Sequence, residues 1–320
     1  MLSINDLAFR FVTRGPGWAH LAVCVPLGLL AGLLLAHWTA RLVADESRGE
    51  RRLSRWPKAA IVLATAAFFP GLILAVIGGN CQSLTEGGSI DWAHWRLLYH
   101  YVLVGLLIAA TATDFDQYVI PDQITLPGMA VGFFAAACLG NMQLVPIWVD
   151  WNHLDPIAGP FIPEWIKQHP HLHGMAFSLA GLAAGAGITW AARLISRFVL
   201  GKEALGFGDV TLMGMIGSFL GWQPVVLVFL LAPMCGALAA VTLRVLYGRR
   251  AVPYGPYLSA AALVVLFTWR WLWIPTREIF GHWPTLVALA AGVTGGMAAL
   301  LGLLRLYRAI PVERNKIDEH

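Results

Sequence analysis

Apolar stretches of about 20 residues alternate with short polar segments along most of this chain. A helix needs about 20 apolar residues to cross the hydrocarbon core of a bilayer. The pattern therefore predicts an all-α fold, a polytopic integral membrane helical bundle of eight or nine spans. The predicted spans cover residues 18–40, 59–77, 97–113, 124–139, 175–192, 210–246 (a pair folded at Gln223-Pro224), 257–274 and 286–304.

The composition agrees with a membrane protein and argues against a nucleic-acid-binding domain. Hydrophobic residues make up 58% of the 320 residues and charged residues 12%, whereas a soluble domain carries about 25% charged residues. The net charge is +4, but the basic residues lie in short loops, which is a topology signal. We therefore expect contact with membrane lipid and no nucleic-acid partner. The sequence assigns no oligomeric state.

The segment from Arg41 to Lys58 holds the densest group of basic side chains and is predicted to be cytoplasmic. Counting spans from this loop puts the N-terminus outside. By the same count, Asp114 follows the third span and Asp209 precedes the short sixth span. Both residues are therefore expected on the cytoplasmic side of the membrane. Two carboxylates are thus expected at one face of the membrane.

Metal-binding motifs are weak in this sequence. None of the four cysteines lies within four residues of another, so no C-x-x-C pair exists. The segment 141–173 holds an alternation of His169, His171 and His173, which could bind a metal or belong to a polar loop at the membrane interface. No cysteine or suitably spaced acid completes a ligand set, which favours the loop interpretation, and we predict no metal.

The run Leu205-Gly-Phe-Gly-Asp209 is chemically unusual because it places an acid at the mouth of an apolar segment. Such an acid is costly at a membrane and is by default a candidate functional residue. The glycines, Gly206 and Gly208, allow close approach of the backbone. A purely structural role, as the N-cap of the following helix, is equally compatible with the spacing of Asp209.

Three aspartates compete as partners of Asp209. Asp114 directly continues the third span and is the best candidate for a buried acid. Asp116 lies about 200° further round a helix and is expected to face solvent. Asp122 follows Pro121 and is compatible with an N-cap of the fourth span.

Two neighbouring aspartates can hydrolyse a peptide bond without a metal. The ionised carboxylate takes a proton from water, and the protonated one hydrogen-bonds the scissile carbonyl. A close pair shares one proton, because both carboxyls cannot ionise cheaply. The competing class is a transporter or channel that uses membrane acids, although these acids lie at one face and not at mid-bilayer.

Three segments resemble the type IV prepilin peptidases, the GxGD group of membrane aspartyl peptidases. They are Asp114-Phe-Asp-Gln-Tyr-Val-Ile-Pro-Asp122 with the following 124–127, Gly201–Val210 with 217–222, and Val252-Pro-Tyr-Gly-Pro-Tyr-Leu258. Together they cover roughly residues 97–258. A bare GxGD is unspecific, whereas three long segments in this order are specific.

The resemblance implies a membrane aspartyl endopeptidase with Asp114 and Asp209 as its catalytic pair. Gly206, Gly208, Pro121 and Asp122 are implied as supporting residues. The implied substrates are type IV prepilins or type II secretion pseudopilins, whose basic leader is cut before the apolar helix at the cytoplasmic face of the inner membrane. An intramembrane GxGD protease with other substrates is the related alternative.

Two departures from the family's pattern limit which properties of the family can be expected of this chain. Some members hold paired C-x-x-C zinc motifs after the first span and also N-methylate the product, whereas the loop 41–58 has no cysteine. We therefore expect no zinc and no cofactor, with S-adenosylmethionine needed only if methylation is retained. Thr211 stands where the family usually has lysine.

The resemblance also suggests a division of the chain. Residues 1–95 are expected to hold the N-terminal spans with their short basic loop and no zinc motif. Residues 96–310 would form the peptidase membrane domain, and 311–320 a cytoplasmic tail.

Overall fold

A computed structural model of the protein describes residues 17–47, 49, 53–79, 81–82, 91–147, 150–155, 159–161, 163–201, 205–247 and 253–309. This part of the chain is helical apart from one small hairpin. The helices are α1 (Gly17–Glu46), α2 (Arg55–Ile73, continued by a π-helical turn Leu74–Gly78), α3 (Asp91–Gln117), α4 (Asp122–Leu139), α5 (Glu164–Gln168), α6 (Pro170–Leu200), α7 (Phe207–Leu220), α8 (Trp222–Tyr247), α9 (Gly255–Gly281) and α10 (Trp283–Ala309).

Eight of the described helices are long and apolar enough to cross a membrane: α1, α2, α3, α4, α6, α8, α9 and α10. Large apolar side chains are exposed along them, as on Leu34, Leu63 and Leu300. This is the pattern of helices whose outer faces contact lipid. The predicted all-α, multi-pass membrane fold is confirmed.

Helix α7 explains the uncertainty between eight and nine spans. Its 14 residues extend over about 21 Å, which is shorter than the ~30 Å hydrocarbon core. Every residue from Asp209 to Leu220 is buried, so α7 is enclosed by other helices. Gly221, with a φ of 89°, then turns the chain into α8, two residues before the predicted fold point at Gln223-Pro224.

Glycines let α7 lie unusually close to α6. A Cβ on Gly181 of α6 would overlap the carbonyl oxygen of Gly217 in α7, and a Cβ on Gly217 would overlap that of Gly181. Small residues at such contacts are the usual means of helix association in membranes, where lipid is as apolar as the side chains. The start of α7 is therefore fixed by a rigid helix pair.

The segment 141–173 contains more structure than the predicted surface loop. An antiparallel hairpin pairs β1 (Asp150–Asp155) with β2 (Gly159–Phe161), and α5 follows. The start of this segment is pinned to the bundle, because Trp222 Nε1 donates to the carbonyl of Ile147 over 3.2 Å. Helix α6 starts at Pro170 and ends at Leu200, beyond the predicted span 175–192 at both ends.

The N-terminal helices pack on α3. The Tyr101 hydroxyl donates to the carbonyl of Phe69 over 2.9 Å, and the two rings stack with centroids 4.2 Å apart. At the other end of α3, Gln117 Nε2 donates to the carbonyl of Val43 over 2.8 Å. The end of α1, where the basic loop begins, thus lies at the same end of the bundle as Asp114. The domain boundary at residue 95 stays a prediction.

Candidate active site

Asp114 lies in the last turn of α3 and is 5% exposed. The backbone N–H of Gly255, the first residue of α9, donates to Asp114 Oδ2 over 3.0 Å. A helix N-terminus carries unpaired N–H groups and a partial positive charge, both of which stabilise a carboxylate. The predicted burial of Asp114 is confirmed, and its partner comes from 141 residues further along the chain.

Asp209 lies in the first turn of α7 and is 8% exposed. Its Oδ2 accepts a hydrogen bond of 2.9 Å from the backbone N–H of Gly206. Gly206 itself occupies the N-cap position, so the N-cap role considered for Asp209 is wrong. Because glycine has no side chain, only half of a capping box exists here, with Asp209 as the acceptor at the third helical position.

The side chain of Ile120 joins the two aspartate segments. A methyl group added to Gly208 would lie 3.2 Å from Ile120 Cβ, and one added to Gly255 would lie 2.8 Å from Ile120 Cδ1. The same group on Gly255 would lie 2.5 Å from Asp114 Oδ2. Glycine is therefore required at position 255 so that the start of α9 can approach both the Asp114 carboxylate and Ile120.

Burial and neighbouring charges control the ionisation of Asp209. Burial raises the pKa of the Asp209 carboxyl to about 6, against the opposing effects of the Gly206 N–H and the positive charge of Arg193. Arg193 comes from α6, and its guanidinium lies over the Phe207 ring at 5.7 Å from the ring centroid. Asp209 is thus held between an apolar interior and one nearby cation.

The two carboxylates interact with each other and with Tyr254. The negative charge of Asp209 acts on the Asp114 carboxyl, so the two acids lie within electrostatic reach of each other. Burial, then the charge of Asp209, raises the pKa of the Tyr254 phenol to about 12, so this hydroxyl stays protonated. The structure therefore brings a buried acid pair and a neutral phenol to one end of the bundle.

The other predicted site residues occupy different positions. Pro121 is buried and forms the N-cap of α4, and Asp122 follows it, exposed, in the first helical turn. Asp122 is therefore not the N-cap residue that its spacing suggested, although it lines a cavity of about 520 Å³ with Pro121 and Glu46. Asp116 is half-buried and lines an apolar groove, whereas it was expected to face solvent.

Thr211, at the position where the resembled family usually has lysine, is buried beside Asp209. Its hydroxyl donates to the carbonyl of Gly208 over 3.1 Å, within the same first turn of α7. This hydrogen bond satisfies the buried hydroxyl locally and leaves the contacts of Asp209 unchanged.

The predicted histidine alternation does not converge on one point. His171 Nδ1 lies 2.9 Å from the carbonyl of Ala137, whereas His173 Nε2 accepts from the backbone N–H of Ile147 over 3.0 Å. Within the described ranges, no group of three or more His, Cys, Asp or Glu side chains could hold a metal ion. These two histidines fasten α6 to the end of α4 and to the chain that follows it.

Four contributors were not singled out from the sequence: Ile120, Arg193, Tyr254 and Gly255. Ile120, Tyr254 and Gly255 lay inside quoted segments without an assigned role. Arg193 lies just beyond the predicted span 175–192, but it belongs to α6. A glycine before proline at the start of an apolar run was the one available signal for Gly255.

Comparison with known proteins agrees with the geometry. Residues 101–241, which include both aspartates, match the sequence model of the type IV leader peptidase family. This match confirms the resemblance to that family.

Several curated proteins with related names are similar to the chain. The chain is 27% identical over 175 residues to a prepilin leader peptidase/N-methyltransferase of Aeromonas salmonicida (strain A449), covering 54% of this chain and 50% of that protein. It is 25% identical over 271 residues to a protein of the same name from Neisseria gonorrhoeae, covering 75% and 84%. It is 28% identical over 181 residues to a type 4 prepilin-like proteins leader peptide-processing enzyme of Escherichia coli O78:H11, covering 56% and 55%.

The chain spans about half the length of the Aeromonas and Escherichia relatives. No solved structure gives a significant match to it. The family model itself covers the central segment that contains the aspartate pair.

Proposed function

We propose that the protein is an aspartyl endopeptidase that removes the leader peptide of type IV prepilins or of type II secretion pseudopilins. The proposal is carried by one observation, two buried carboxylates that interact at helix N-termini within the leader-peptidase segment. The site would lie at the cytoplasmic face of the inner membrane. The dense basic loop that begins at the same end of the bundle supports this orientation.

The environment of each aspartate suggests its role. The positive charge of Arg193 favours the ionised form of Asp209, so we assign Asp209 as the base that takes a proton from the attacking water. Asp114 then carries the shared proton and donates a hydrogen bond to the scissile carbonyl. The Gly255 N–H holds Asp114 Oδ2, which leaves Oδ1 for the substrate.

These steps need only the residues of the chain and a water molecule. The peptide bond between leader and mature segment is cleaved, the water oxygen joins the new carboxyl group, and the proton on Asp114 passes to the leaving amine. No cofactor is included in the proposal, and methylation of the new N-terminus is not part of it.

The test is to replace each aspartate in the full-length protein, as Asp114→Asn and Asp209→Asn, with a co-expressed prepilin as substrate. Each change should lower the processing rate by about 100-fold or more, because one general acid or base typically accelerates a reaction by a factor of about 10² to 10⁴. Asp116→Asn and Asp122→Asn serve as matched controls with much smaller losses. Near wild-type processing by either single variant of the pair would exclude the assignment.

Sequencing the N-terminus of the mature pilin gives a second readout. Cleavage immediately before the apolar segment, dependent on the protein, is expected. An unmethylated N-terminus would agree with the proposed single activity, and a methylated one made only when this protein is present would add the second activity named for the relatives.

A further inference from the structure

Tyr254 adjoins the aspartate pair without taking part in the proposed steps. It is the N-cap of α9 and the residue before Gly255, whose N–H binds Asp114 Oδ2. Its Cα therefore lies about 3.8 Å from that of Gly255, the distance across one trans peptide. From the other side, the charge of Asp209 in α7 acts on the Tyr254 phenol. Tyr254 is thus linked to one acid through the backbone and to the other electrostatically.

The position of Tyr254 is fixed by the start of α9 and by one ring contact. Its carbonyl accepts hydrogen bonds from the N–H groups of Tyr257 over 3.0 Å and Leu258 over 3.3 Å. The rings of Tyr254 and Tyr257 meet edge-on, with centroids 6.3 Å apart. Tyr257 in turn lies against α8, since a Cβ on Gly236 would be 3.1 Å from Tyr257 Cδ2. The phenol is therefore held in place before a substrate binds, as a preorganised donor must be.

The Tyr254 hydroxyl is available as a donor. Within the described ranges it has no hydrogen-bond partner, and it is not one of the polar atoms that the bundle encloses completely. Burial, then Asp209 and Cys235 of α8, raise the pKa of the phenol to about 12, so the hydroxyl keeps its proton. A half-buried phenol that is neutral and unpaired can donate to a bound molecule.

Hydrolysis of a peptide bond puts negative charge on the carbonyl oxygen. Hydrogen-bond donors that already point at this oxyanion stabilise the transition state, and removing one of them typically costs about 10² to 10³ in kcat. In the proposed mechanism Asp114 supplies one donor, through Oδ1. The hydroxyl of Tyr254 belongs to the residue next to the N–H that holds Asp114 Oδ2, so it can supply a second.

We propose that Tyr254 is a further catalytic residue, whose hydroxyl donates a hydrogen bond to the oxyanion formed at the scissile carbonyl. This inference rests on the proposed function and adds a residue to the same site. The phenol keeps its proton throughout, so water, the peptide bond and the proton shared by the aspartates remain the only reacting groups.

The test is Tyr254→Phe in the full-length protein, because it removes the hydroxyl and keeps the ring. We expect kcat for prepilin processing to fall by about 10²-fold. KM should stay close to that of the wild type, since the donor acts mainly in the transition state. Tyr257→Phe removes the hydroxyl of the neighbouring ring and is the matched control, with wild-type kcat. Both variants should keep the wild-type unfolding temperature in detergent.

The pH profile separates a donor to the substrate from a donor to Asp209. A phenol that donated to Asp209 would lower the pKa of that carboxyl. Tyr254→Phe would then move the acidic limb of kcat/KM to higher pH and regain activity above it, which would overturn the proposal. A donor to the oxyanion instead lowers kcat at every pH and leaves the acidic limb in place.

The remaining outcomes distinguish this inference from the proposed function. Wild-type kcat in Tyr254→Phe, or an equal loss in Tyr257→Phe, would overturn the role of Tyr254 while the peptidase proposal stands on the aspartate variants. A lower unfolding temperature with a raised KM would show a structural role and would also overturn it. Normal processing by Asp114→Asn or Asp209→Asn would instead contradict the proposed function.

Discussion

Helices α7 and α10 are both strongly apolar, yet they occupy opposite environments. Every residue of α7 from Asp209 to Leu220 is buried, whereas none of the residues 283–303 in α10 is. The glycines differ in the same way, because a Cβ at Gly217 of α7 would overlap a backbone carbonyl and one at Gly295 of α10 would meet open space. In a membrane, hydropathy identifies a helix, but close packing decides which helix forms the interior.

The largest effect on stability is expected where α6 and α7 touch. Gly181→Ala should destabilise the protein by about 3 kcal/mol, because its Cβ would overlap the carbonyl of Gly217 and rigid backbone cannot yield. The measurement is the thermal unfolding temperature in detergent, with the yield of folded protein.

Gly187→Ala on the same helix is the control, since nothing lies within 4 Å of its added Cβ. Equal unfolding temperatures for the two variants would show that α6 and α7 are not in such close contact.

A large effect on activity is expected at the start of α9. Gly255→Ala places a methyl group 2.5 Å from Asp114 Oδ2 and should displace that carboxylate. A displacement of about 1 Å can cost roughly 10²-fold in rate, so kcat for prepilin processing should fall by about that factor.

Gly281→Ala, at the open other end of α9, should retain wild-type kcat. If Gly255→Ala also processes prepilin normally, the contact of Gly255 with Asp114 has no catalytic role.

The effect of pH on prepilin processing should be smaller than that of Gly255→Ala and larger than that of a change in α10. Because burial raises the Asp209 pKa to about 6, this carboxyl, the base in the proposed mechanism, is mostly ionised only above this pH. We therefore expect kcat/KM to fall as the pH drops through about 6, well above the usual range of a carboxyl. In the described structure the Gly206 N–H and the charge of Arg193 from α6 act on Asp209. Asp209 in turn acts on Asp114 from α3 and on Tyr254 at the start of α9.

Arg193→Gln should move the acidic limb of this profile to higher pH, since the charge of Arg193 lowers the Asp209 pKa. Arg193→Lys keeps the charge and should restore the wild-type profile. A limb that stays in place in Arg193→Gln would mean that Arg193 does not control the ionisation of Asp209.

The smallest effect is expected in α10. Gly295→Ala meets no atom within 4 Å and also favours the helix, so processing and unfolding temperature should stay within experimental error of the wild type. A marked loss would indicate that α10 packs against another molecule in the membrane.

The sequence predicted some features of the candidate site and missed others, for a physical reason. Asp114 and Asp209 could be paired because each lies at the end of an apolar run, and charge asymmetry places those ends on one side. Asp116, expected to face solvent, is half-buried, and an angle around one helix does not show that α2 and α9 form a groove on that side. The hydrogen bond of Gly255 to Asp114 joins residues 141 positions apart and has no local signal.

The sequence by itself determined the helices, because lipid requires apolar runs of a set length, and it determined which acids stand at their ends. Only the tertiary structure decided that the short helix α7 is enclosed, that Asp209 accepts from Gly206 as a third-position residue, and that α9 supplies a donor to Asp114. Those features depend on backbone atoms of separate helices approaching closely. Such approaches arise from the packing of the whole bundle and not from any one segment.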